Sequence, residues 1–304
     1  LQKEALALHI SPRFRGLVCS VLSSACFSAM TAFVHQAGDL PSMQKILFRN
    51  LVALLLAGGM LLRRRTSLRV ARGSRLDLLG RCAAGTLGLA CNFYAIDRMV
   101  LADANMLNKL SPFFAVLFSY FLLRERLRPA HLLGVAAAFG GALLIIRPTL
   151  GLTAALPALS GLVSGMGAGL AYTFVRRLGQ RGEDPNRIIF YFSLFSCAVS
   201  LPPFFLLGRP MTSGQLLWLL AAGAGGAGGQ FFITRAYFYA PARELSVYEY
   251  LQVLFAAAWG FVLFGQVPDL LSFLGYGIIV GTAAVMFLYN TRSGPFRPKK
   301  VPEQ

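Results

Sequence analysis

Ten apolar stretches, each about 18–24 residues long, run the length of the chain and limit its fold more than any other feature. They cover residues 14–35, 43–62, 78–96, 102–123, 129–147, 156–176, 187–207, 215–238, 243–264 and 270–290. A helix crossing a hydrocarbon core near 30 Å thick needs about 20 mostly apolar residues, so each stretch can span with some tilt. The separators carry turn and breaker residues, among them Asp39-Leu40-Pro41, Arg128-Pro129, Pro148, Asp184-Pro185, Pro210, Pro241 and Pro268. Strands of a membrane barrel alternate over about 10 residues, and these runs do not. The expectation is an all-α polytopic membrane protein with ten transmembrane helices and no sizeable soluble domain.

Composition agrees. Only 13% of the residues are charged, about half the roughly 25% usual in soluble domains. A formal net charge of +17, from 29 Lys+Arg against 12 Asp+Glu, raises the question of nucleic acid. The distribution answers it. With the N-terminus in the cytoplasm, inside loops and tails collect 22 basic residues, while outside loops hold only Arg98, Arg147 and Arg209. That bias is a topology signal, with both termini cytoplasmic. No motif for binding RNA or DNA accompanies it, so a nucleic-acid partner is not expected.

The first stretch could pass for a signal peptide, but it lacks a clear small-x-small cleavage site and is expected to remain as a helix. The five cysteines, Cys19, Cys26, Cys82, Cys91 and Cys197, lie inside apolar stretches without metal-ligand spacing. His9, His35 and His131 sit near span ends and form no HExxH pair, so no metal is expected.

An internal repeat organises the spans. A shift of 141 residues lays Asn92–Ile146 on Ile233–Phe287, matching Ala95 to Ala236, Leu110 to Leu251, Gly134 to Gly275 and Gly140 to Gly281. A shift of 145 lays Gly16-Leu17-Val18 on Gly161-Leu162-Val163 and Phe27 on Tyr172. Five spans per half is an odd number, which inverts the second half in the membrane relative to the first. Such inverted repeats around a midplane site are a recurring transporter architecture. The expected organisation is a tail over 1–13, repeats over 14–147 and 156–290, and a basic tail over 291–304.

Several short runs carry a family resemblance over about residues 14 to 290. They are Phe48-Arg49-Asn50, Arg81 opening the third span, Asn92-Phe93-Tyr94-Ala95, Leu110-Ser111-Pro112-Phe113, and Arg124-Glu125-Arg126-Leu127 ahead of Gly134. The chain resembles EamA-type members of the drug/metabolite transporter superfamily. The resemblance implies a two-repeat carrier of a small organic metabolite, working by alternating access, commonly outward, in the inner membrane of a bacterium. The second half departs from the pattern, with Gln266 where a loop Glu is usual and Val253 where a Pro is usual.

Ionisable groups inside a bilayer cost about 2.5–3.5 kcal/mol at its centre on insertion scales, so they mark function or a buried pair. Arg49 and Lys109 lie about six and seven residues in from the outer ends of their spans, and Glu249 about six in from the cytoplasmic side. Glu249 is also the repeat partner of Asn108, the neighbour of Lys109. A pocket with a cationic outer end (Arg49, Lys109) and an anionic inner end (Glu249) would suit an amino acid or other zwitterion. Glu249 could instead carry a coupling proton. The plainer alternative pairs Lys109 or Arg49 with a helix end or with Asp103. Arg81 and Arg235 are expected to snorkel to the interface.

Phe93, Tyr94, Tyr248, Tyr250 and Trp259, with Tyr237, could stack on a ligand or merely pack helices. Pro112 would free a backbone carbonyl near Asn108 and kink the fourth span, lining a cavity. The run from Gly223 to Gly229 lacks the Gly-Lys-Ser/Thr ending of a phosphate loop and is expected to let helices approach closely. No ATP site, organic cofactor or catalytic cluster is visible, so the expectation is a secondary transporter and not an enzyme. Two alternatives stand beside the zwitterion carrier: a proton-coupled exporter of hydrophobic cations, and an intramembrane enzyme modifying lipids. Import or export, the coupling ion and the oligomeric state stay open at this level.

Overall fold

The structure, a computed structural model, describes residues 12–123, 129–146, 152–240, 245 and 248–292. Most of the two tails lies outside the described residues, as do Arg124 to Arg128, Arg147, Pro148, Pro241 and Arg243.

The helices are α1 (Pro12–Gln36), α2 (Ser42–Arg63), α3 (Arg75–Ile96), α4 (Leu101–Asn108), α5 (Ser111–Leu123), α6 (Pro129–Ile146), α7 (Leu152–Gln180), α8 (Pro185–Leu207), α9 (Ser213–Tyr239), α10 (Leu251–Phe264) and α11 (Leu270–Arg292). No strand occurs among the described residues. Six of the expected spans are long and apolar enough to cross a membrane on those grounds alone: Phe14–Gln36, Ser42–Arg63, Leu101–Leu123, Ala155–Gln180, Pro185–Leu207 and Ser213–Tyr239. Shorter apolar pieces lie at Leu132–Ile145, Leu251–Phe264 and Leu270–Met286. The third expected span falls on α3, whose apolar run is interrupted by Arg81 and Asn92.

Local chemistry sets the helix ends. Asp184 caps α8 by accepting from the Asn186 and Arg187 amides at 2.8 and 3.1 Å, with Pro185 in the first turn. Thr212 and Gln215 form a reciprocal capping box at the start of α9. Gly265 ends α10 in the left-handed region at φ 62°, where a Cβ would be strained.

The fourth span is broken in its middle. Lys109 and Leu110 leave the helix between α4 and α5, and Pro112 lacks the N–H that would have bonded back to Asn108. Residue 250, which lies 141 positions after Lys109, interrupts the chain in the same way, with Tyr250 as a turn just ahead of α10. Non-helical backbone is tolerated at this depth only inside protein or beside a cavity, and both interruptions lie inside.

Glycines allow the close packing. A Cβ at Gly165 or Gly169 would fall 2.6 Å from the Leu107 or Ser111 carbonyl, so α7 presses directly on the break. Gly167 meets Gly88 on α3 backbone to backbone. The Gly223–Gly229 run seats α1 through Gly225 and Gly229 and α2 through Gly223 and Gly226.

The main helix pairs are α1 with α9, α3 with α7, α2 with α8, and α6 with α11. Exchanging the first five spans for the second five turns the first pair into the second and returns the other two unchanged. Two polar ends result. At one, Asp77 of α3 holds Arg177 of α7 and Arg181 just beyond its end at 3.3 and 2.6 Å. At the other, Asp39 meets Arg209 at 2.9 Å and Lys45 meets Asp97 at 2.6 Å.

Candidate functional site

Between these ends lies a cavity of about 70 Å³ whose lining comes from both halves. At roughly 10–15 Å³ per water on that measure, it has room for a handful of waters. Met30 and Phe27 come from α1, Arg49 from α2, Arg81, Gly85 and Asn92 from α3, Asn108 from the end of α4, and Lys109 from the break. The second half supplies Tyr172, Phe192, Gln230 and Gln252. Phe27 and Tyr172, matched by the 145-residue shift, face the same space.

From its place in this lining, Lys109 meets Glu249. Lys109 Nζ lies 3.5 Å from Glu249 Oε2, and the residues are 3% and 0% exposed. Glu249 Oε1 accepts from the Tyr237 hydroxyl at 2.9 Å, and Tyr237 stacks on Tyr172 with centroids 4.9 Å apart. The two side chains therefore neutralise each other at the centre, where the sequence had suggested opposite ends of a pocket. The physical reason is that the two helix interruptions face one another, and a charge in lipid is tolerated best beside its opposite. Asp103, the alternative acid for Lys109, accepts instead from the Tyr276 hydroxyl at 2.6 Å.

Arg49 and Arg81 are a different case. Each is 2% exposed, and both guanidiniums lie against the Phe192 ring, their carbons 5.8 and 4.1 Å from its centroid. Arg49 donates to Asn50 Oδ1 at 2.5 Å and to the Gly226 carbonyl at 3.4 Å. Among the described residues, Arg81 has only the ring. Nε of both is buried without a partner. Neither reaches a described carboxylate, because each of those is engaged elsewhere: Asp39, Asp77, Asp97 and Glu183 with basic residues, Asp184 and Asp269 at helix starts, Asp103 with Tyr276, and Glu249 with Lys109.

Arg81 was expected at the membrane interface. It is enclosed instead, because α3 already begins at Arg75 and Phe192 of the other half covers the guanidinium. A glycine one turn on was the available signal. A Cβ at Gly85 would collide with the Arg81 guanidinium, and one at Gly226 would collide with that of Arg49. Gly85 and Gly226 are themselves 141 residues apart, the repeat spacing.

The other sequence candidates divide. Asn108 lines the cavity and donates to Ser164 Oγ at 3.0 Å. Tyr250 is buried with its hydroxyl unpaired. Phe93 is fully buried in the apolar core, and Tyr94 lies under Arg98, with the guanidinium 4.0 Å from its ring. Tyr248 contributes its carbonyl to Ser24 at 3.2 Å, and Trp259 packs near Phe33. As site residues, sequence reasoning did not single out Phe192, Gln230 and Gln252, nor Tyr172 and Asn92, which it met only in the repeat and in a family run. Asn92 and Gln252 each leave an amide oxygen buried and unpaired. Among the described residues, no group of His, Cys, Asp or Glu could hold a metal ion.

Comparison with known proteins gives the same frame. The profile of the EamA-like transporter family matches residues 14–147 and again 155–288. The chain is 34% identical over 281 residues to the pseudopaline exporter CntI of Pseudomonas aeruginosa, covering 92% of this chain and 97% of that one. It is 27% identical over 287 residues to the riboflavin transporter of Brucella anthropi, covering 91% and 99%. With solute carrier family 35 member G1 of Homo sapiens, identity is 28% over 268 residues, covering 83% and 73%. A solved crystal structure shares the fold at a TM-score of 0.71 and 20% identity, covering 92% of this chain and 99% of that one.

Proposed function

This chain belongs to the EamA-like transporter family and is an integral membrane transporter, and on that premise we propose a secondary carrier that moves a small zwitterionic metabolite outward by alternating access. Its working form would hold ten transmembrane helices as two inverted repeats, 14–147 and 156–290, in a bacterial inner membrane with both termini cytoplasmic. The helix pairings that survive exchange of the halves support the repeat. The outward direction draws on the relative named as a pseudopaline exporter, and pseudopaline is one candidate cargo.

The observation that carries the reading is the buried Lys109–Glu249 pair, set beside two helix interruptions, with Lys109 on the cavity wall and Glu249 directly against it. An ion pair this deep can open to receive an ammonium on Glu249 and a carboxylate on Lys109, then close when the cargo leaves. Glu249 could alternatively take the coupling proton in the same exchange. Alternating access would part Asp77 from Arg177 and Arg181 at one end and Asp39 from Arg209 at the other in turn. The hydrophobic-cation alternative is disfavoured, because Arg49 and Arg81 make the cavity positive. An intramembrane enzyme falls away with membership of a transporter family.

The test is transport into proteoliposomes of labelled amino acids, amines, carboxylates, lipophilic cations and pseudopaline. Wild-type protein is compared with Lys109→Ala and Glu249→Gln at equal amounts of monodisperse material. Carrier-rate movement of a zwitterion that stops in both variants is expected. Transport that continues unchanged in both would sink the assignment of the pair.

A further inference from the structure

The cavity is lined by Arg49, Arg81 and Lys109 and by no acid, and Glu249, outside that lining, is already paired with Lys109. Two guanidinium charges are thus left without a counter-charge among the described residues, at 2% exposure. Burying an unpaired charge is among the costliest arrangements a protein can hold, and a membrane interior makes it worse. The arrangement is also built. Gly85 and Gly226 leave the space in which the two guanidiniums sit, Phe192 flanks both, and a Cβ at either glycine would fill the cradle. Guanidinium forks match carboxylate oxygens in shape as well as charge. Next to them, the unpaired amide oxygens of Asn92 and Gln252 can accept from an N–H of the same ligand.

We infer that the cargo is a polycarboxylate whose carboxylates outnumber its ammonium groups, with one carboxylate held between Arg49 and Arg81 at Phe192. This rests on the transporter reading and narrows it from zwitterions in general to net anions. An anion brings a counter-charge into the cavity, so binding compensates the two buried guanidiniums. A neutral amino acid supplies a carboxylate but brings its own ammonium into a positive site. A diamine has no place there.

Thermal melting of the detergent-purified full chain tests it, with glutarate, glutamate, leucine and putrescine as probes, on wild type, Arg49→Gln and Arg81→Gln. A ligand that binds only the folded state at a hundredfold excess over Kd raises the melting temperature on the order of 5–10 °C for a chain of this class. Glutarate and glutamate are expected to give shifts of this kind and leucine and putrescine little or none, and each Arg→Gln variant should abolish the shift. In the absence of ligand, Arg81→Gln is expected to melt at or above the wild-type temperature, since it removes an uncompensated charge. Equal stabilisation by leucine that survives both variants overturns the inference while leaving the carrier reading intact. A ligand-free Arg81→Gln that melts well below wild type overturns it too, by showing that Arg81 has a structural partner. Failure of the carrier reading itself would show separately, as absence of transport in the vesicles.

Discussion

The Lys109–Glu249 pair makes an unequal pair of single-site effects the sharpest consequence of the structure. At 3.5 Å, and with an effective dielectric near 20, the Coulomb attraction is ~5 kcal/mol. Breaking a buried pair from one side costs about 3–5 kcal/mol, because the remaining charge is stranded. The neighbours split that range. Glu249→Gln leaves Lys109 in one lining with Arg49 and Arg81 and without its counter-charge, so it should sit at the upper end, about 4–5 kcal/mol. Lys109→Met leaves Glu249 the hydrogen bond it accepts from the Tyr237 hydroxyl and should cost less, about 3–4 kcal/mol. The double variant removes both charges and is expected within about 1.5 kcal/mol of wild type, since paired buried charges often break even against neutral residues of similar size. Reversible unfolding by sodium dodecyl sulfate in mixed micelles reads all four corners of the cycle. Single losses below about 1 kcal/mol, losses that simply add in the double variant, or a larger loss for Lys109→Met than for Glu249→Gln would each refute the reasoning.

Four further outcomes follow from the packing. Gly141→Ala places a Cβ 2.9 Å from the Gly275 carbonyl and from Ile279, and should lower stability by about 1–3 kcal/mol. Its neighbour Gly140→Ala meets nothing within 4 Å, so the same assay should find it neutral or more stable by up to about 1 kcal/mol. Gly85→Ala, whose Cβ collides with the Arg81 guanidinium, is expected to abolish stabilisation by glutarate in the melting assay while the protein still purifies as a single species. Thr212→Ala removes the capping box of α9, and should cost about 1 kcal/mol in unfolding without changing ligand shifts.

What the chain determined alone is what the bilayer demands of any segment by itself. A long apolar run must satisfy its backbone internally, so the positions of the helices could be read from composition and breakers. Pro112 cannot donate to the Asn108 carbonyl, so the break in the fourth span was likewise local. Lys109, Glu249 and Arg49 stood out because charge in lipid is costly wherever its partner lies. Pairing is another matter. Lys109 meets Glu249 across 140 residues only because two interruptions from different halves face each other, and the sequence had set them at opposite ends. Arg81 looks the same in sequence whether it snorkels to the interface or lies enclosed. Its fate was decided by Phe192 arriving from α8 and by the room left at Gly85. The charge balance of the cavity, and with it the kind of cargo it can accept, is a sum over residues from both halves that exists only once they are packed together.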